Sequence, residues 1–158
     1  MVELETTVEV EIASDDWVRA LPDAADVART AALAALAPDE DRAVAVLLAD
    51  DATVRDLNAR FRRKDTATNV LSFPAPENPF GQMGDIALAF GVCAAEARTQ
   101  GKPLADHLRH LVIHGVLHLL GFDHETDADA EVMEARERRL LAALGTPDPY
   151  AVETVDER

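Results

Sequence analysis

Apolar and polar positions alternate from residue 2 to residue 12, with Val2, Leu4, Val8, Val10 and Ile12 on one side and Glu3, Glu5, Glu9 and Glu11 on the other. That period of two predicts a half-buried strand. After Leu21-Pro22-Asp23 an alanine-rich run to Ala37 predicts a helix ended by Pro38. The continuous run AVAVLLA, residues 43–49, suits a buried central strand. Asp50 or Asp51 can then cap a helix with Val54, Leu57 and Phe61 as its apolar stripe. A short strand follows at Val70–Phe73. The segment PAPENPFGQMG is too rich in proline and glycine to be anything but a loop, and a further strand is expected at Asp85–Phe90.

The last part of the chain reads as three consecutive helices. They cover Val92–Gln100 with Gly101 as terminator, a stretch opened by Pro103 and closed by Gly121, and about Asp127 to Leu144 before Gly145. The order implies an α+β fold with a small mixed four-stranded sheet. No linker or repeat interrupts it, so residues 1–158 are expected to form one domain with an acidic tail from about residue 151.

All five histidines lie between residues 107 and 124. His107, His110, His114 and His118 share a helix and fall within an arc of about 80°. The second half of that helix is otherwise apolar almost all round, so it is buried, and buried imidazoles must be hydrogen-bonded or coordinated. His114 and His118 stand one turn apart, and Gly121 allows the chain to reverse and present His124 to the same spot. Three imidazoles leave a tetrahedral zinc ion one open position, which is the arrangement of catalytic rather than structural sites. His110, Asp85 and Asp123 are candidates for orienting a ligand imidazole or acting as base. The spacing matches the histidines of metzincin peptidases, but Gly115 stands where those enzymes carry the glutamate base. A peptidase would need Asp123, Asp85 or Glu125 as a displaced base.

Net charge is −15, with 30 acidic residues against 15 basic ones, which speaks against a basic surface for nucleic acid. The acidity is uneven. Residues 1–41 hold eleven acidic and two basic groups, whereas residues 55–64 carry Arg55, Arg60, Arg62, Arg63 and Lys64 against Asp56 alone. The single cysteine, Cys93, excludes a disulfide scaffold and a cysteine-rich zinc finger. With no export or membrane-spanning signal in the sequence, a cytoplasmic protein is expected, with neither membrane nor DNA as partner.

The segment HGVLHLLGFDH, residues 114–124, resembles the signature of the YbeY family of rRNA maturation factors, described as zinc-dependent endoribonucleases. NARFRRKDTATNVLSFP (Asn58–Pro74), MGDIALAF (Met83–Phe90) and DPY (Asp148–Tyr150) agree with other blocks of that family, with Met83 and Ala67 as small departures. The resemblance implies one zinc ion held by His114, His118 and His124, with Arg62 as the functional arginine; Arg63 and Lys64, next to it in the basic run, are candidates for binding substrate. A guanidinium there can grip a phosphate and stabilise charge developing on it. It further implies single-strand cleavage near the 3′ end of 16S rRNA, with the small ribosomal subunit, and a ribosomal protein or assembly factor, as partners. Attack by water or by the ribose 2′-hydroxyl both remain open. The rival readings are a non-cleaving assembly factor with structural zinc and the displaced-base peptidase. Ser72 and Asn69 are placed near the cleft, and Phe80 is the aromatic residue best placed to meet a base.

Overall fold

The computed structural model describes residues 6–36, 42–76, 78–79 and 81–151. The expected start of the first strand, the stop at Pro38, Phe80 and the tail beyond residue 151 lie outside them. The elements in chain order are β1 (Thr7–Ile12), α1 (Asp16–Ala20), α2 (Ala24–Leu36), β2 (Ala43–Ala49), α3 (Asp51–Arg62), β3 (Val70–Pro74), β4 (Gln82–Ala89), α4 (Phe90–Gln100), α5 (Leu104–Leu119) and α6 (Asp127–Ala143).

The four strands form one mixed sheet in the order β1-β2-β4-β3. β1 and β4 flank β2 in parallel, and β3 closes the edge antiparallel to β4. β2 lies inside the sheet, which is why it is apolar at nearly every position. Side chains then divide by parity. Val44, Val46, Leu48, Ile86 and Leu88 join the large core shared with α2 and α5. Ala49, Leu71, Ala87 and Ala89 face the opposite way, against Val54 of α3. Fully burying each large aliphatic side chain contributes about 1.5–3 kcal/mol, so the α2/α5 face holds most of the cohesion.

One helix was not expected, and two element starts shift by more than a residue. Helix α1 has only five residues, too few to show a period, and is fixed by Trp17, fully buried, whose indole N–H donates to the Ala49 carbonyl at 2.9 Å. β4 starts at Gln82 because pairing with β2 begins at Ala43. α4 starts at Phe90, because the Asp51 carboxylate accepts from the Val92 N–H at 3.1 Å and so caps it from another helix. Phe61, placed on the core stripe of α3 by its spacing, is 67% exposed; it reaches past the sheet edge and packs edge-on against Phe73.

Helix α5 is the centre of the molecule. α2, α4, α6 and the sheet all pack on it, and Leu108, Val112, Ile113, Val116 and Leu117 are fully buried. It comes closest to the sheet at Gly115, where an added Cβ would stand 3.0 Å from Ile86 Cγ2 and 3.2 Å from Ser72 Oγ. The helix ends in a Schellman motif: Phe122 N–H donates to Leu117 O and Gly121 N–H to His118 O, each at 3.0 Å. Gly121 has φ +104°, a conformation open to glycine at little cost, and Phe122 tucks onto the core.

Candidate metal centre

The reversal at Gly121 does what the spacing of the histidines required. Nε2 of His118 lies 3.2 Å from Nε2 of His114. The His124 ring stacks on that of His114 with centroids 5.7 Å apart, and meets the His118 ring at 5.1 Å. One nitrogen from each of the three falls within 4.8 Å of the others, a grouping able to hold a metal ion. Tetrahedral zinc with Zn–N near 2.1 Å separates its ligand nitrogens by about 3.4 Å, close to the His114–His118 spacing of 3.2 Å. The donor set therefore fits. Burial, followed by the neighbouring His114 and His124, lowers the pKa of His118 and favours the neutral imidazole that a metal needs.

Behind the triplet stands a residue the sequence reading missed. Glu137 of α6 is wholly buried, and its Oε2 lies 2.5 Å from His114 Nδ1. Its Oε1 accepts from the Tyr150 hydroxyl and lies 3.4 Å from His110 Nε2. His110 Nε2 is also 3.2 Å from the Tyr150 oxygen. Burial works against the charge, but hydrogen bonds from His110, His114 and Tyr150 outweigh it and hold the Glu137 carboxyl at about 2. The same burial and the neighbouring carboxylate push the Tyr150 phenol up. Glu137 was legible in one way: it falls four residues from both Met133 and Leu141, so a carboxylate occupies the middle of a buried helix stripe.

Arg62 lies at the end of α3, exposed, with its guanidinium donating to the Ser72 carbonyl and resting 5.7 Å from the centre of the Phe73 ring. Ser72 in turn donates from its hydroxyl to the Gly115 carbonyl at 3.1 Å. Arg62 is thereby linked through one residue to the helix of the histidines. The basic island is smaller than its sequence suggests. Arg55 pairs with Asp65 through two contacts of 2.7 and 3.1 Å, and Arg60 pairs with Asp56 at 3.1 Å. Arg63 and Lys64 are exposed, and neither side chain has an ion-pair partner among the described residues. Arg63 adopts φ +59°, the left-handed conformation that ends α3.

The remaining candidates separate. His110 reaches Glu137 and Tyr150, and so shares the buried carboxylate with His114. Asp123 is half-buried in the turn before His124, where its carboxylate accepts from the Glu125 N–H at 3.2 Å. Asp85 is not brought to the histidines. Its neighbour Ile86 faces α5, so Asp85 points to the other side of the sheet, exposed in a groove of about 1240 Å³ that Arg62, Glu9, Glu11, Leu57 and Phe73 also line. Asn69 turns away as well, donating to Glu96 at 3.1 Å; Glu96 also holds His107 at 2.8 Å. Gly115 leaves no room for a glutamate between α5 and the sheet, so the base of the metzincin pattern is excluded by packing as well as by sequence.

The family described as Endoribonuclease YbeY matches residues 5–145. A protein named Endoribonuclease YbeY from Paramagnetospirillum magneticum is 52% identical over 162 aligned residues, covering 91% of this chain and 98% of that protein. One of the same name from Jannaschia sp. is 55% identical over 128 residues, covering 73% and 79%. The solution structure of TM1509 from Thermotoga maritima is similar in fold, with a TM-score of 0.55 at 22% identity, covering 92% of this chain and all of that one.

Proposed function

Because this chain belongs to the YbeY endoribonuclease family, we propose that it is a zinc-dependent enzyme that cuts single-stranded RNA, acting near the 3′ end of 16S rRNA. The observation that carries the reading is the convergence of His114, His118 and His124 around one point. When bound there, zinc supplies Lewis acidity toward a phosphoryl oxygen and makes a nucleophile available near neutral pH. The protein's own part is to position and to neutralise. His114 and His118 hold their ring planes through Glu137 and through the backbone of Phe122. Arg62, anchored on Ser72, offers a guanidinium to the non-bridging oxygens of the scissile phosphate, where negative charge grows in the transition state. Arg63 and Lys64 extend the positive edge along the neighbouring phosphates.

The acidic remainder of the surface disfavours long-range capture of RNA, so delivery falls to the small ribosomal subunit, with a ribosomal protein or assembly factor as partner, in the cytoplasm. Among the described residues no helix is long and apolar enough to cross a membrane.

The test is purified, metal-quantified protein incubated with single-stranded RNA. His114→Ala should lose zinc and cleavage together. Arg62→Ala should keep one zinc per chain and lose cleavage by about 10²–10³-fold, the scale of removing a donor to developing charge. Full cleavage by the metal-free protein sinks the mechanism. Normal rRNA maturation with the Arg62→Ala protein supports a non-cleaving assembly factor instead.

A further inference from the structure

We propose that Glu137 is the positioning residue of the histidine site, fixing His114 as the Nδ1–H tautomer with its Nε2 lone pair turned to the metal, and that Tyr150 is the latch holding Glu137 in place. The proposal rests on the reading of His114, His118 and His124 as metal ligands.

A carboxylate buried to 0% exposure is costly unless its oxygens are satisfied. Here each oxygen is used: His114 on Oε2, His110 and Tyr150 on Oε1. An ionised carboxylate only accepts, so the nitrogen facing it must carry hydrogen. That assigns the proton of neutral His114 to Nδ1 and leaves Nε2, the atom nearest His118, free to donate its lone pair. Such carboxylate–imidazole pairs orient ligands and raise their basicity. If Glu137 served packing alone, an apolar residue of its volume between Met133 and Leu141 would be at least as stabilising.

His110, His114 and Glu137 also form a second grouping compatible with an ion. The 2.5 Å between His114 Nδ1 and Glu137 Oε2 argues against it, since that is a short charge-assisted hydrogen bond rather than the wider spacing of two ligands around one ion.

Tyr150 comes from the segment after α6, which three contacts fold back. Arg138 pairs with Asp148 at 3.1 Å, Asp148 accepts the Tyr150 N–H at 2.8 Å, and the Arg138 guanidinium lies 5.3 Å from the Tyr150 ring centre. These fix the hydroxyl over Oε1. The carboxylate plane, and through it the His114 ring, is thereby set by a residue outside both helices.

Nitrogen-15 histidine spectra of the metal-free protein read the tautomer directly, with His114 assigned from a His114→Gln variant; chelator competition reads zinc affinity. Wild type should show His114 protonated at Nδ1. Glu137→Gln should give mixed tautomers and a 10- to 100-fold loss of zinc affinity. Tyr150→Phe, which keeps the carboxylate, should weaken zinc by about 2- to 10-fold and alter the absorption of the cobalt-substituted site. A folded Glu137→Gln protein with wild-type tautomer and affinity overturns the proposal. So does a second equivalent of zinc lost on Glu137→Gln, which would make Glu137 a ligand. Should Glu137→Gln not fold, unchanged affinity and cobalt spectrum in Tyr150→Phe overturn the latch. Wild type that binds no zinc refutes the metal reading, while the metal-free tautomer still reports on Glu137.

Discussion

The Ser72 hydroxyl donates to the Gly115 carbonyl at 3.1 Å, tying the edge strand that anchors Arg62 to helix α5 one residue beyond His114. Ser72→Ala should cost about 1 kcal/mol, the net worth of one such bond. Cleavage should fall further than that loss alone implies, because the carbonyl under Arg62 loses its tether. Denaturant melts together with single-turnover cleavage at saturating RNA separate the two effects; unchanged cleavage in the folded variant argues against the tether.

Gly115 sets how closely α5 approaches β3 and β4. Alanine gains up to about 1 kcal/mol in helix propensity, but its methyl meets Ile86, fully buried, and crowding of this kind costs about 1–3 kcal/mol. Gly115→Ala should therefore be less stable by about 1 kcal/mol. Gly115→Glu should lose far more stability and gain no peptidase activity. The urea midpoint and a peptide-hydrolysis assay check both statements.

His107 supplies a pH dependence away from the three-histidine cluster. Burial lowers its pKa below the ordinary 6.5 despite the Glu96 hydrogen bond. The folded state then holds it neutral while the unfolded chain takes up a proton near 6.5. Stability from this group is complete above pH 6.5 and is lost as pH falls from there toward the lower folded value, by at most about 1.4 kcal/mol per unit. In His107→Gln that part of the acid-side slope should vanish. Unfolding free energies from pH 7 to 5, wild type against variant, measure it; parallel curves contradict the assignment.

Naked RNA should bind weakly and with a salt dependence set by few contacts. If Arg62, Arg63 and Lys64 meet three phosphates, the slope of log affinity against log salt is about −2 for a single strand, and Arg63→Ala with Lys64→Ala should remove about 1.4 of it. Titration at several salt concentrations tests this. Tight, salt-insensitive binding would mean that other surfaces hold the RNA.

The contrast between what the sequence foretold and what it concealed is one of range. His114, His118 and His124 were readable because they share one helix and its reversal, where 100° per residue and one glycine define the geometry. Glu137 meets His114 only through the packing of α6 on α5, and it is one of five acidic residues on α6. Nothing local distinguishes it until its place between Met133 and Leu141 is noticed. The placement of Asp85 was hidden for a related reason: its strand was predicted, but the facing of its side chain follows from Ile86 meeting Gly115, a contact between distant segments. Phe61 obeyed its helical period and still lies largely in solvent, since period gives direction but not the extent of the neighbouring sheet.

The parts of the site also differ in how far apart along the chain they are drawn from. The imidazoles span eleven residues, 114–124, and need only a helix and its Schellman turn, a closure of low entropic cost. Glu137 reaches His114 across 23 positions of sequence, and Arg62, 52 positions before His114, is tied to α5 only through Ser72, so both depend on the docking of β3, α5 and α6. The imidazole cluster is thus a local property of the chain, whereas the placement of the Arg62 guanidinium and the Glu137 carboxylate belongs to the packed fold.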